Sequence, residues 1–180
     1  AIRGGIFLVP ENRHPQGLSL MHSVYDNSLL PLLPTLSKKR FFIDDRQGAQ
    51  IVQEIIETMQ VKTPGSDIAI SKLSGGNQQK IVVGKALESH PKILLLDEPV
   101  AGMITTELEE MAQLVAKIRK DFNLSIIMIE HHMNFVMPIA DRIKVVDFGK
   151  TISEGTPDVV QKDPKVIEAY LGGGYQNVNA

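Results

Sequence analysis

The sequence predicts an α/β fold built on a parallel sheet, and three observations carry that prediction. Ile93-Leu94-Leu95-Leu96 is an unbroken apolar run ending in Asp97-Glu98, the pattern of a buried parallel strand that delivers acid groups to its C-terminal edge. Leu73-Ser74-Gly75-Gly76-Asn77-Gln78-Gln79-Lys80 opens a helix with a Ser-Gly-Gly turn. Such a turn presents bare backbone N–H groups at the positive end of a helix dipole, which suits an anion such as a nucleotide phosphate. Apolar runs and amphipathic stretches then alternate through the second half, as parallel strands do with their crossover helices.

Composition narrows the function classes. At 180 residues the chain has room for one domain with an inserted subdomain, and 43% hydrophobic with 22% charged residues is ordinary for a soluble globular protein. A net charge of -2 argues against a general nucleic-acid binder. The absence of cysteine excludes a disulfide framework, a thiolate nucleophile and Cys-ligated zinc. No apolar run approaches the ~20 residues that span a bilayer, and the first residues lack the charged-then-apolar pattern of a signal peptide.

The elements follow in order. Gly5 to Val9, closed by Pro10, reads as a buried strand and Glu11 to Gly17 as a polar loop. Ser23 with Asp26 predicts a capped short helix that Pro31 and Pro34 confine. Lys38-Lys39-Arg40 beside Phe41-Phe42 reads as a solvated loop next to packing aromatics. Ala49, Val52, Ile55, Ile56 and Met59 line one stripe of a helix from about Asp45, so the first third is mainly helical. After a turn at Thr63-Pro64-Gly65-Ser66, a helix from Asn77 to Ser89 has Val82, Val83, Ala86 and Leu87 on one side, and His90-Pro91 ends it before the strand Lys92 to Leu96. Thr106 and Glu109 form a capping box for a helix with Leu108, Met111, Ala112, Val115 and Ile118 on one face. Asn123 breaks to the strand Ser125 to Ile129, which ends in Glu130-His131-His132. A short helix around Phe135, a strand Ile143 to Val146, a turn at Phe148-Gly149 and a strand Lys150 to Ser153 follow. Thr156-Pro157 and Asp163-Pro164 start two short helices, the last stopping at Gly172 before a frayed tail.

The string Leu73 to Lys80, in register with a strand ending in Asp97-Glu98, resembles the signature motif of ABC-type ATP-binding cassettes, and its Asn-Gln-Gln-Lys ending resembles the sugar-importer branch. Val9-Pro10-Glu11-Asn12-Arg13 with Gln16-Gly17-Leu18 is similar to the Q-loop region of the second cassette in sugar-importer ATPases, where Glu can replace Gln. From Asp97 onward, Glu130-His131, Gly155-Thr156-Pro157 and Glu168 to Gly172 are more similar to branched-chain amino-acid importer ATPases.

The resemblance implies a P-loop NTPase (RecA-like) core and assigns roles by position. Asp97, ending the Walker B strand, holds magnesium, with Glu11 as a second ligand. Glu98 polarises the attacking water and His131 contacts the γ-phosphate. Ser74, Gly75, Gly76 and Gln78 serve the ATP of a partner cassette across a head-to-tail dimer, and Glu11 also faces the nucleotide. His132 competes with His131 for its role. The implied partners are a membrane permease and a second cassette, not nucleic acid, and the implied place is cytoplasmic, at the inner face of the cell membrane.

Departures from the family pattern are equally specific. The Gly-rich loop ending in Gly-Lys-Ser/Thr is not in these residues. Gly149-Lys150-Thr151 has Lys144 where the earlier glycine belongs and precedes a strand, while Gly84-Lys85 is followed by Ala86 inside a helix. The adenine-stacking aromatic that the family places upstream of that loop is missing as well. Ile104 stands where a polar Asp or Asn is usual. Asp147-Phe148-Gly149 spells a kinase triplet, but a strand-to-strand turn explains it better. The expected organisation is therefore a partial cassette. It comprises a core strand and Q-loop region at 1–11, a helical subdomain at 12–76 ending in the signature, the C-terminal half of the ATPase core at 77–172 and a flexible tail at 173–180. Its expected function is that of an ATP-hydrolysing importer subunit, unable to turn over ATP efficiently alone. The alternative is a catalytically incompetent truncated cassette that acts as a structural or signature-donating partner. A DNA-repair or translation ATPase is disfavoured by Asn77 to Lys80 and the lack of a basic surface.

Overall fold

The computed structural model describes residues 5–32, 37–38, 42–43 and 45–171. The side chains of the Lys38 to Phe42 stretch and the tail from Gly172 lie outside the described residues. The chain divides between His131 and His132 into two compact units.

The first unit is built on β1 (Ile6–Val9), β4 (Ile93–Asp97) and β5 (Ser125–Ile129), all parallel in the order β1-β4-β5. Register pairs Leu8 with Leu95 and Leu95 with Ile127, while Val9, Leu96 and Met128 line up one residue on. Because side chains alternate along each strand, Val9, Leu94 and Leu96 share one face and are buried. Leu8 and Ile127 share the other face and are 53% and 56% exposed. Parallel strands are apolar on both sides where both faces are covered, and here the second face carries large apolar side chains open to solvent.

Between β1 and β4 the chain makes a helical layer. The predicted capping box at α1 (Val24–Leu29) is present, with the Asp26 backbone N–H donating to Ser23 Oγ at 3.0 Å and the Ser23 N–H to the Asp26 carboxylate at 3.3 Å. A two-stranded antiparallel pair, β2 (Ser37–Lys38) with β3 (Phe42–Ile43), interrupts the stretch read as mainly helical. α2 (Asp45–Thr58) buries Val52, Ile55 and Met59 as its stripe requires, but Ala49 is exposed and Gly48 faces inward instead. A Cβ at Gly48 would stand 2.6 Å from the Tyr25 hydroxyl, so the crossing with α1 needs a residue without one.

α3 (Gly75–Leu87) starts two residues before the expected Asn77, with Ser74 as its N-cap. It is also not amphipathic: every residue from Gln78 to Leu87 is buried, because α1, α2 and β1 all pack on it. At Gly84 a Cβ would lie 2.6 Å from Ile55 Cγ2, which lets α2 approach closely. The expected polar loop after β1 winds instead into a single π-helical turn, Arg13–Gly17. α4 (Thr105–Asp121) is capped two residues before the expected Thr106. Its N-cap is Ile104, whose N–H is taken by Glu107 at 3.3 Å, so Glu107 and not Glu109 occupies the third helical position where a carboxylate can reach back. Of its predicted core face, Met111, Ala112, Val115 and Ile118 are buried and Leu108 is half-buried. Asn123 turns the chain into β5 with φ +50°, a conformation Asn tolerates.

The second unit contains α5 (Met133–Val136), β6 (Ile143–Asp147), β7 (Lys150–Gly155), α6 (Pro157–Val160) and α7 (Pro164–Leu171). β6 and β7 are antiparallel, so the parallel arrangement does not extend to them. The two-residue turn Phe148-Gly149 has positive φ at both positions, 42° and 77°, the geometry that joins a hairpin and cannot join parallel strands. Ile143, Val145, Val160 and Val166 form its core. Among the described residues no helix is long and apolar enough to cross a membrane.

Candidate functional site

Three adjacent strands run in the same direction and release the chain at the same edge of the sheet. β1 is followed by Pro10-Glu11, β4 ends in Asp97 and passes to Glu98, and β5 is followed by Glu130-His131. The carboxylates and imidazole singled out in the sequence are thereby gathered from distant positions. Glu11 is exposed, and Asp97 and Glu98 are half-buried.

Glu98 sits in the left-handed region at φ +42°. That conformation costs a non-glycine residue about 1–2 kcal/mol, and two hydrogen bonds hold it. The Glu98 N–H donates to Ile129 O at 2.9 Å, and Glu98 O accepts from the Ala101 N–H at 3.1 Å. The kink turns the Glu98 side chain toward the end of β5, where His131 Nδ1 lies 3.6 Å from Glu98 Oε1. Glu130 is 1% exposed at its side chain and accepts the His131 backbone N–H at 2.7 Å, with His131 Nδ1 3.8 Å from the same carboxylate oxygen. A buried carboxylate therefore fixes the backbone of the residue that presents the imidazole.

The Ser-Gly-Gly turn is separate from this edge cluster in sequence and chemistry. Ser74 Oγ accepts from Asn77 Nδ2 at 2.9 Å and, more weakly, from the Asn77 N–H at 3.4 Å. Gln78, expected at the nucleotide, is buried, with its amide donating to Ile70 O at 3.2 Å and Leu73 O at 3.1 Å and its carbonyl 2.9 Å from His14 Nε2. Its visible role is to fasten the approach to the turn. Lys80 reaches Gln60 O at 3.3 Å and Glu110 Oε2 at 3.4 Å, and Lys62 reaches Glu110 Oε1 at 3.0 Å. Hydrogen bonding from Lys62, then its charge and that of Lys80, holds the Glu110 carboxyl below the usual range. Deeper in α3, Lys85 donates to Gly17 O, and burial brings its pKa down to about 8.

Sequence reasoning assigned no site role to Arg13, Glu107 or Glu130, although each touches the predicted site residues or their backbone. Glu107 had a legible signal, three residues beyond an apolar N-cap. Glu130 had only its place after an apolar run.

Parallel strands with acids at their C-terminal edge, together with a glycine-rich helix start, define a P-loop-type ATP-binding cassette core. The ABC transporter family model matches residues 1–101, and the branched-chain amino acid ATP-binding cassette transporter model matches residues 150–176. The chain belongs to the ABC transporter family. It is 34% identical over 173 residues to the ribose import ATP-binding protein RbsA of Streptococcus agalactiae, covering 96% of this chain and 35% of that protein. It is 42% identical over 102 residues to the high-affinity branched-chain amino acid transport ATP-binding protein LivG of Escherichia coli, covering 57% of this chain and 40% of that protein. The chain thus spans well under half the length of these curated relatives. An ATP-binding cassette of an ABC transporter, crystallised in its ADP conformation, matches with TM-score 0.75 and 26% identity over 95% of this chain and 70% of that one. The cbiO1 cassette from Clostridium perfringens shares the fold, with TM-score 0.73 and 23% identity over 92% and 62% of the two chains.

Proposed function

We propose that this chain is part of an ATP-hydrolysing subunit that energises import of a small solute, a sugar or an amino acid, through a membrane permease at the inner face of the cell membrane. The observation that carries the reading is the convergence of Asp97, Glu98 and His131 at one sheet edge, with Glu98 Oε1 3.6 Å from His131 Nδ1, in a chain of this family. The import direction and solute classes rest on the similarity to RbsA and LivG.

Asp97 and Glu11, at the ends of neighbouring strands, offer carboxylate oxygens suited to a magnesium ion. Bound MgATP supplies the phosphoryl group to be transferred. Glu98 accepts a proton from, and orients, the attacking water, while His131 donates to negative charge developing on the phosphoryl oxygens. Gly75 and Gly76 offer their N–H groups to the phosphate of ATP held by a second cassette in a head-to-tail pair, with Ser74 capping that turn and Gln78 keeping it in place. The residues divide accordingly into a core strand and Q-loop region (1–11), a helical subdomain (12–76), the C-terminal half of the core (77–172) and a tail (173–180).

Gly149-Lys150-Thr151 is a hairpin turn and no Gly-rich, helix-opening loop ends in Gly-Lys-Ser/Thr among these 180 residues, so the proposed hydrolysis requires a phosphate cradle supplied by other residues. The exposed sheet face carrying Leu8 and Ile127 is the surface on which a cradle-bearing helix would pack. Mixing the chain with a cassette that has an intact cradle tests the reading. ATP turnover should rise above that of the intact cassette alone, and Ser74→Ala should abolish the rise. A rise that survives Ser74→Ala would remove the donated site from the reading.

A further inference from the structure

The loop that follows Glu98 and the Ser74-Gly75-Gly76 turn are joined by two side chains of opposite charge. Arg13 Nη1 donates to Ala101 O at 3.1 Å. The same guanidinium lies over Gly75, where an added Cβ would stand 2.8 Å from Nη2. On the other side, Glu107 Oε2 accepts the Ile104 N–H at 3.3 Å, and Glu107 Oε1 accepts from Ser74 Oγ at 3.4 Å. Gly76 lies against this carboxylate, with an added Cβ 2.9 Å from Oε1. The segment from Ala101 to Ile104 is therefore held at both ends, and each holder rests on one glycine of the turn.

We propose that Arg13 and Glu107 are positioning residues that clamp the Ala101 to Ile104 loop onto the Ser74 to Gly76 turn, so that the hydrolytic carboxylate and the donated anion-binding turn of one chain move as a unit. The geometry gives the glycine pair a second reason to exist. Gly75 and Gly76 leave room for the clamp as well as baring their N–H groups. Ile104 enters the clamp through its backbone N–H alone, which takes one Glu107 oxygen and leaves the other for Ser74. The loop reaches Glu98 directly, since the Ala101 N–H donates to Glu98 O. This inference deepens the reading that Ser74 to Gly76 serve another cassette's ATP, but the clamp itself is a property of the isolated chain.

Amide hydrogen exchange on the 180-residue chain tests the clamp without any nucleotide. Glu107→Ala should speed exchange in the peptides covering 74–78 and 100–104 together, by about tenfold for the loss of one charge-assisted hydrogen bond. Glu107→Gln, which keeps one oxygen for the Ile104 N–H and can donate its amide N–H to Ser74 Oγ, should loosen both peptides less than Glu107→Ala does, and Arg13→Ala should loosen the same pair of peptides. Loosening of only one peptide, or no change in either, overturns the clamp. Turnover in the mixture with an intact cassette then separates the clamp from the donor reading. If Ser74→Ala lowers turnover, Glu107→Ala should lower kcat about five- to tenfold, and the double variant should be no slower than Ser74→Ala alone. Losses that multiply overturn the coupling and leave the donor reading standing. A silent Ser74→Ala overturns the donor reading, while the exchange result still decides the clamp.

Discussion

His131 Nδ1 stands 3.6 Å from Glu98 Oε1, although the two residues leave different strands. The approach exists because Glu98 takes a left-handed turn and because the buried Glu130 carboxylate holds the His131 backbone. In the function proposed above, both groups meet one reacting phosphoryl group. In a cassette supplied with a phosphate cradle, Glu98→Gln should lower single-turnover hydrolysis by about 10²–10⁴-fold while ATP binding is retained. His131→Ala should cost about 10²–10³-fold. Rapid-quench measurement of hydrolysis beside a filter-binding assay checks both, and loss of binding in proportion to rate would contradict the assignment.

The φ of +42° at Glu98 carries a stability prediction. Glycine accepts that conformation without strain. Glu98→Gly should therefore stabilise the fold by about 0.5–1 kcal/mol after its extra unfolded-state entropy is counted, while removing the acid. Urea unfolding of the two proteins reads the difference.

Lys85 links stability to pH. Burial holds its pKa at about 8 in the folded chain, against an ordinary value of 10.5. Below about 8 the folded state carries the full cost of a buried charge, and this cost is relieved as pH rises toward 10.5. The contribution of Lys85 to stability should rise across this window with a slope approaching 1.4 kcal/mol per pH unit at most. Lys85→Met should flatten that rise, as read from urea midpoints at several pH values.

Gly84 fixes the closest approach of α2 to α3. A Cβ there would stand 2.6 Å from Ile55 Cγ2 and 2.8 Å from Met59 Cγ. Gly84→Val should destabilise the chain by about 2–3 kcal/mol through overpacking. Ile55→Ala in the same chain should recover part of the loss, as thermal melts of the single and double variants will show.

The uncovered sheet face predicts dye binding. Leu8 and Ile127 lie side by side with Leu95 on that face and are more than half exposed. The isolated chain should bind a hydrophobic dye such as ANS at this patch. Leu8→Lys should reduce the fluorescence about twofold or more while shifting the melting temperature little, since the lost side chain is already half in water. Unchanged fluorescence would place the apolar surface elsewhere.

The site was legible in the sequence where chemistry and local pattern coincide. Ile93 to Glu98 announced a buried strand with acids at its tip, and Ser74-Gly75-Gly76 announced a helix start; both elements are present, the strand shifted by one residue and the helix begun two residues before Asn77. Ser23 with Asp26 gave its capping box for the same reason. What the sequence hid depends on contacts between distant segments. Gly48 and Gly84 face the core because neighbouring helices cross there, which no local pattern announces. α3 has a mixed polar and apolar sequence and is nevertheless buried around its circumference, since Gln78 and Lys80 find partners inside. Arg13 and Glu107 carried no sequence signal for each other, being brought to one turn only by the fold. The antiparallel β6–β7 pair was written in the short Phe148-Gly149 connection, which outweighs the strand–helix alternation around it.

In the proposed function, Ser74 to Gly76 and Asp97 to Glu98 serve two different nucleotides. Photocrosslinking with an ATP analogue reactive at its γ-phosphate tests it most directly. With a cassette bearing a Gly-Lys-Ser/Thr loop present, label should enter the peptide containing Ser74 to Gly76, and without that cassette it should not. Equal labelling of this peptide in the isolated chain would contradict the claim.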